Sequence, residues 1–251
     1  MKWLITGLGG TLAPMLAQAA RARGVKVLGW NRHQIDPQDS AAAQAWLRHE
    51  APDAIAHLAL GPLSWAQQLA AHAAEAGKPF VLTSTAMVFD HQPDGPHAPA
   101  DPRNARDDYG RSKIGCEDAV LAAHPQAMVA RIGWQIDPAQ PGNNMLMALD
   151  RWQAEQGEVA ASRAWTPACS FMADTAAALA QLLCVPVPGV HHLDSNADEA
   201  WRFDQIVRAL QQACDRPHWR LRVHDDYRHD QRLVGGPTRL PPLSQRLPLA
   251  R

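Results

Sequence analysis

Thr6-Gly7-Leu8-Gly9-Gly10-Thr11-Leu12-Ala13 joins a short apolar run, Trp3 to Thr6, to an Ala-rich stretch with apolar residues at helical spacing, Leu12 to Arg23, which stops at Gly24. A glycine-rich turn between a strand and a helix has a definite physical use. Glycine tolerates positive φ and lets a pyrophosphate approach the backbone. The following helix N-terminus offers unpaired N–H groups and the positive end of its dipole. Ala13 stands where the third glycine of a dinucleotide-binding turn falls, and a small residue there lets helix pack on strand. The turn therefore marks Gly7, Leu8, Gly9, Gly10, Thr11 and Leu12 as candidate cofactor-binding residues.

Outward from this turn the chain repeats the same rhythm. Strands are expected at residues 25–30, 54–60, 80–83 and 128–132. Helices are expected at 41–50 (with Asp39 or Ser40 as N-cap), 65–76 and 108–123. Residues 91–107 hold four prolines and read as a loop. Strands alternating with helices imply βαβ units and a parallel sheet covered on both faces. The expected fold class is thus α/β, a Rossmann-like doubly wound sheet in residues 1–133, with a smaller substrate lobe in 134–251 whose segments can interleave with the first. In that lobe helices are expected at 143–156, 174–183 (capped by Asp174) and 200–213, strands at 190–193 and 219–223, and an irregular proline-rich tail from 235 to 251.

The second strand ends Gly29-Trp30-Asn31-Arg32-His33. An acid at that place would hold a ribose 2′-hydroxyl and select NAD. None stands there, whereas Arg32 offers a fork suited to a 2′-phosphate. NADP is the expected cofactor, with NAD as the alternative and Arg32 as a plain surface arginine in that case.

Tyr109 and Lys113 stand at i and i+4 and share one helix face. A nearby ammonium stabilises a phenolate, so the Tyr109 pKa is expected below its usual value near 10. Such a tyrosine exchanges a proton with a carbonyl oxygen as hydride moves to or from carbon. Upstream, Thr83-Ser84-Thr85-Ala86-Met87 follows the fourth strand, at the carboxyl edge where ligands bind in such sheets. A hydroxyl there can hydrogen-bond the reacting oxygen. The chain has only two tyrosines, so the placement of one of them four residues before a lysine is informative.

Composition sets outer limits. Over 251 residues the net charge is −1, with 46% apolar and 20% charged residues and no basic run, so no nucleic-acid partner is expected. The four cysteines form no C-x-x-C pair and read as buried or partly buried free thiols. No stretch approaches the ~20 apolar residues of a membrane span, and the N-terminal apolar run is too short for a signal peptide. A cytoplasmic protein without membrane association is expected. The twelve histidines include adjacent His191 and His192, which on a strand point to opposite faces, so no metal site is expected. His57 reads as a core histidine, Trp165 and Trp201 as packing residues. For Trp134, packing and a substrate cleft stay equally open.

Taken together, these elements resemble the extended short-chain dehydrogenase/reductases, and within them the branch that acts on nucleotide sugars, the dTDP-4-dehydrorhamnose reductases. Thr6-Gly7-Leu8-Gly9-Gly10 is similar to that family's T-G-x-x-G turn. Pro52-Asp53-Ala54-Ile55-Ala56-His57-Leu58-Ala59 resembles its third strand, Thr85-Ala86-Met87-Val88-Phe89 its T-x-x-V-F stretch, Arg131-Ile132-Gly133-Trp134 its R-x-x-W, and Gly189-Val190-His191-His192-Leu193 its late strand. The resemblance implies NAD(P)-dependent reduction of a keto group on a nucleotide sugar or similar small molecule. It gives Thr85 the role of orienting substrate, Tyr109 that of acid/base, and Lys113 that of binding ribose and tuning Tyr109. It adds Asp36 near adenine, Leu58 and Ala59 against the cofactor, and Ala86 and Met87 toward substrate. By their position in the second lobe, Arg163 and Arg239 are candidate contacts for the diphosphate of a substrate, with Trp134 a candidate for lining its cleft. The chain carries Ala86-Met87 where these reductases have Asp-Tyr, and its 59–79 segment is short. A non-catalytic cofactor-binding regulatory subunit, or an epimerase or dehydratase, remains the alternative, and a homodimer is an open option.

Overall fold

The computed structural model describes residues 1–248; the last three residues of the tail, 249 to 251, lie outside the described residues. Its elements in chain order are β1 (Lys2–Ile5), α1 (Leu12–Arg21), β2 (Lys26–Gly29), α2 (Ser40–Glu50), β3 (Ala54–His57), α3 (Leu63–Glu75), β4 (Phe80–Thr85), α4 (Asp108–Ala123) and β5 (Met128–Ile132). There follow β6 (Trp134–Ile136), α5 (Met145–Gln156), β7 (Val159–Ser162), β8 (Trp165–Thr166), β9 (Cys169–Phe171), α6 (Met172–Cys184), β10 (Gly189–Leu193), α7 (Phe203–Ala213), β11 (Leu221–His224) and β12 (His229–Asp230). Two compact units share the chain. The first comprises residues 1–85, 107–131 and 176–191, the second 86–106, 132–175 and 192–251.

The first unit carries a six-stranded sheet of order β10-β5-β4-β3-β1-β2. β1 pairs in parallel with β2 on one side and β3 on the other, and β3 pairs in parallel with β4. Because β1 has its two successors on opposite sides, the winding reverses between β1 and β3. In an open α/β sheet the ligand crevice falls at such a reversal, outside the carboxyl ends of the strands. Those ends are the glycine turn after Ile5 and the Leu58-Ala59 segment after His57. The strands are short and apolar because helices cover both faces: Trp3, Leu4, Ile5 and Ile55 are fully buried. Leu4, Ile55, Phe80 and Val129 pack with Leu47, Trp65, Leu69 and Val120 in one core, each such side chain contributing about 1.5–3 kcal/mol.

Helix starts follow their side chains. Asp39 caps α2 by accepting from the Ala42 N–H at 3.0 Å, and Asp107 caps α4 by accepting from Gly110 at 2.8 Å. Thr11 precedes α1 without any side-chain cap bond.

The second unit is built on three two-stranded parallel pairs, β7 with β11, β8 with β12 and β6 with β9. Its core gathers Ile136, Leu146, Phe171, Phe203, Leu210 and Trp219. The expected N-cap role of Asp174 is corrected: α6 starts at Met172, so Asp174 lies inside its first turn and pairs with Arg246. All four cysteines are free thiols, but Cys184 is exposed rather than buried. Among the described residues, no helix is long and apolar enough to cross a membrane.

Candidate active site

The glycine turn is open and shaped for close approach. Gly7 has φ +82°, and the Gly10 N–H closes the turn onto the Gly7 carbonyl at 2.8 Å. A Cβ on Gly7 would stand 3.1 Å from the Ala59 nitrogen, whereas one on Gly9 would meet nothing within 4 Å. With no side chain capping α1, its first N–H groups remain available to an anion. This arrangement fits the diphosphate of a dinucleotide. Gly7→Ala is expected to cost about 1–3 kcal/mol of stability from backbone strain and to weaken NADPH binding. Unchanged urea midpoint and cofactor affinity would show that the turn tolerates a side chain.

Thr6 ties this turn to the end of β3. Its Oγ1 accepts from the Leu58 N–H at 3.0 Å and the Ala59 N–H at 3.1 Å, and it meets His57 Nδ1 at 2.9 Å. With both incoming bonds on the hydroxyl oxygen, its own proton goes to the imidazole, which then carries its hydrogen on Nε2. Burial, with Lys113 and Arg32 as nearby positive charges, lowers the His57 pKa to about 3. His57 is 3% exposed and packs edge-on against Trp65. It is therefore a neutral core histidine that organises the strand ends.

Asn31, Arg32 and Asp36 lie exposed beyond β2. Asn31 accepts from the His33 N–H at 3.0 Å and Asp36 from Gln38 at 2.9 Å, each closing a local turn. The Arg32 guanidinium lies 4.9 Å over the Trp65 ring, and its Nη2 donates to the Leu60 carbonyl. It is thus held beside the end of β3 while its remaining N–H groups are unassigned to this bond.

Tyr109 and Lys113 project from α4 toward the end of β4. The Thr85 side chain hydrogen-bonds the Tyr109 phenol. Lys113 Nζ donates to the Thr83 carbonyl at 3.0 Å and lies 5.9 Å from the centre of the Tyr109 ring. Lys113 is 7% exposed and Tyr109 45% exposed, so the ammonium is shielded and the phenol is half open. The expected lowering of the tyrosine pKa is corrected. Desolvation, and then the Asp107 carboxylate, push it up, and only the Thr85 bond pulls it down. The physical reason is that the ammonium is anchored on a carbonyl rather than on the phenol. Burial lowers the Lys113 pKa, against the upward influence of Cys116 and Glu117.

Behind this pair lies a group that sequence reading left out. Glu117, fully buried, takes both Nε and Nη2 of Arg131 at 3.0 and 2.7 Å and accepts a bond from the Ser84 hydroxyl. The signal was present: Glu117 stands four residues after Lys113, one further turn along the same face.

The other candidates lie in the second unit. Ala86 and Met87 begin a short 3-10 turn, Ala86–Phe89. Trp134 donates its backbone N–H to the Ala168 carbonyl at 2.8 Å, an approach that Gly133 permits because a Cβ there would stand 2.2 Å from that oxygen. The Trp134 ring stacks with Trp165 at 6.1 Å and Phe203 at 6.0 Å between centroids. Arg163 forms an exposed two-bond pair with Asp225, and Arg239 pairs with Asp198. Both guanidinium groups thus already face a carboxylate. His191 and His192 each bond a backbone carbonyl, of Val187 and Val234 respectively.

A family model described as the RmlD substrate binding domain matches residues 64–222. The dTDP-4-dehydrorhamnose reductase of Mycobacterium tuberculosis (strain CDC 1551 / Oshkosh) is 32% identical over 241 residues, covering 87% of this chain and 77% of the relative. Among solved structures, dTDP-4-dehydrorhamnose reductase from Bacillus anthracis in complex with NADP superposes with TM-score 0.80 at 16% identity, covering 97% of this chain and 96% of that one. The Bordetella bronchiseptica enzyme WbmH in complex with NAD+ gives 0.77 at 19% identity, covering 98% and 95%. With the glycine turn, the T-x-x-V-F stretch and the tyrosine helix on one scaffold, the chain belongs to the RmlD, or dTDP-4-dehydrorhamnose reductase, family of the extended short-chain dehydrogenase/reductases.

Proposed function

We propose that this protein is an NAD(P)-dependent reductase that converts a keto group of a nucleotide sugar to an alcohol, with NADPH preferred and NADH accepted. One observation carries the reading. Tyr109 and Lys113, one turn apart on α4, are both tied to the end of β4, in the same unit as an open glycine turn. The dTDP-4-dehydrorhamnose reductases related to this chain support the substrate class.

When bound, a reduced nicotinamide supplies the hydride. The chain's own residues do the rest. Tyr109 donates its proton to the carbonyl oxygen as the carbon is reduced. Its raised pKa keeps the phenol protonated at neutral pH, so the acid form is the resident one. Thr85 orients the phenol and the reacting oxygen. Lys113 has three N–H donors and uses one on Thr83, leaving two for ribose hydroxyls. Gly7, Leu8, Gly9, Gly10, Thr11 and Leu12 hold the diphosphate, Leu58 and Ala59 line its approach, and Asp36 lies toward adenine. In the second unit Ala86, Met87, Trp134 and Arg163 serve the sugar nucleotide. Ala86-Met87 supplies neither a carboxylate nor a phenol, so the accepted sugar is one that needs no such partner beside Thr85. Free thiols fit a reducing cytoplasm.

The test is loss of reduced-nicotinamide absorbance with dTDP-4-dehydrorhamnose and a panel of other nucleotide keto-sugars. Turnover with at least one member is expected. Binding of NADPH, seen as a raised Tm, without turnover on any of them would favour the non-catalytic subunit. Arg32→Glu is expected to weaken NADPH relative to NADH by about tenfold or more, roughly 1.4 kcal/mol. An unchanged ratio would remove Arg32 from the 2′-phosphate.

A further inference from the structure

We infer that Glu117, acting with Ser84 and Arg131, is a positioning residue that sets α4 in register against β4, so that Tyr109 and Lys113 meet the strand end in reactive geometry. The inference rests on the reading of Tyr109 and Lys113 as the proton-transfer pair.

Three consecutive residues of β4 are each tied to a successive turn of one face of α4. The Thr85 side chain meets Tyr109, the Thr83 carbonyl takes the Lys113 ammonium at 3.0 Å, and the Ser84 hydroxyl donates to Glu117 Oε1. Strand side chains alternate between faces. Ser84 therefore reaches Glu117 from the face opposite Thr83 and Thr85 side chains, while the Thr83 link is made by the backbone. A second strand, β5, closes the arrangement: Arg131 holds both Glu117 oxygens through Nε and Nη2 at 3.0 and 2.7 Å. All three members are sealed from solvent, Ser84 and Arg131 2% exposed and Glu117 not at all.

A buried ion pair is weak evidence for stability, since well-packed apolar side chains of similar volume often do as well. Its distinctive property is geometric. A bidentate guanidinium–carboxylate fork has one orientation, and a hydroxyl bonded to the same carboxylate adds a third fixed direction. A helix held only by apolar packing can shift along a strand by a fraction of an ångström at little cost. Displacement of about 1 Å at a reacting group costs on the order of a hundredfold in rate. Glu117 also acts on Lys113 through charge: its carboxylate opposes the lowering that burial imposes on the ammonium.

The variants are Ser84→Ala, which removes one hydroxyl; Ser84→Thr, which restores it; Glu117→Gln, which removes the charge; and the double Glu117→Met, Arg131→Met, which replaces the pair by apolar volume. Each is measured for Tm, NADPH affinity by fluorescence, and kcat and KM with the keto-sugar that the wild type reduces. The titration of Tyr109 is followed by its phenolate absorbance in the cofactor-free protein, in a Tyr227→Phe background that leaves a single tyrosine. Expected are a roughly 10- to 100-fold fall in kcat for Ser84→Ala and for the double variant, with KM within about twofold and NADPH affinity retained. Ser84→Thr recovers most of the rate. In Glu117→Gln the alkaline limb of the pH–rate profile moves to lower pH, because the ammonium loses its supporting charge. In Ser84→Ala the phenolate appears at higher pH, because the Thr85 bond loosens. Folded variants with wild-type kcat, pH limb and phenolate titration would overturn the inference. If Tyr109→Phe is inactive while these variants behave as wild type, the positioning role alone falls. If Tyr109→Phe is active, the proton-transfer reading beneath it falls as well.

Discussion

Tyr109→Phe is expected to lower kcat by roughly 10² to 10⁴-fold, the usual worth of a positioned general acid, while leaving NADPH affinity within about twofold. The substitution removes one oxygen from a side chain that is 45% exposed, so little buried contact is lost. It also frees the Thr85 side chain from its phenol partner, a change confined to the reacting edge. Because the ring remains, Lys113 keeps its bond to the Thr83 carbonyl at 3.0 Å and its place near the ring. Steady-state NADPH oxidation and fluorescence titration of NADPH, run on the same preparations, separate the two effects. Equal turnover in both proteins would mean that the proton comes from elsewhere. A parallel loss of NADPH binding would mean that the phenol holds the cofactor rather than the substrate carbonyl.

Acidification supplies the second large effect. His57 has a folded-state pKa of about 3 against 6.5 for the free side chain. Above pH 6.5 it is neutral folded and unfolded, and its contribution is fully present. As pH falls below 6.5 the unfolded chain takes a proton that the folded one refuses. Stability then declines by about 1.4 kcal/mol per pH unit, reaching about 2 kcal/mol at pH 5 and about 4 kcal/mol by pH 3, where the folded group begins to protonate as well. Against a typical total of roughly 5–15 kcal/mol this is a substantial share. His97, His191 and His229 are lowered by burial in the same sense. Asp194 opposes them: burial pushes it up to about 7, so its contribution is full below 3.8 and is lost as pH rises through 7. These groups are common to wild type and His57→Asn, so the difference between the two isolates His57. Asparagine can still accept from the Thr6 hydroxyl and has no proton to gain. Urea midpoints at pH 7.5 and 5 are expected to fall further in the wild type than in His57→Asn. Equal falls would show that His57 does not titrate in this window.

The first unit was legible because its central strands β1, β3, β4 and β5 are buried along nearly their whole length and read as short apolar runs, set between helices marked by caps and glycine stops. α4 and β5 start and end where the pattern places them, at residues 108–123 and 128–132. β4 runs two residues further than expected, to Thr85, since hydroxyl side chains lack the apolar signature while the backbone continues to pair. The second unit was less legible. β6, β7, β8, β9 and β12 are two to four residues long and pair only with strands distant in the chain, so neither periodicity nor length announces them. Asp174 was misplaced as a cap because α6 begins two residues earlier, at Met172.

Local order along the chain, by itself, determined that a glycine turn joins the first strand to the first helix and that Tyr109 and Lys113 share a helix face. Both follow from backbone sterics and from the periods of strand and helix. Only the tertiary structure decided what those residues touch. It anchored the Lys113 ammonium on the Thr83 carbonyl, raised the Tyr109 phenol where a lowering was expected, and set Glu117 and Arg131 behind them. The reason is that desolvation and charge pairing depend on which strand lies opposite which turn of helix, and that distance is established by folding rather than by spacing in the chain.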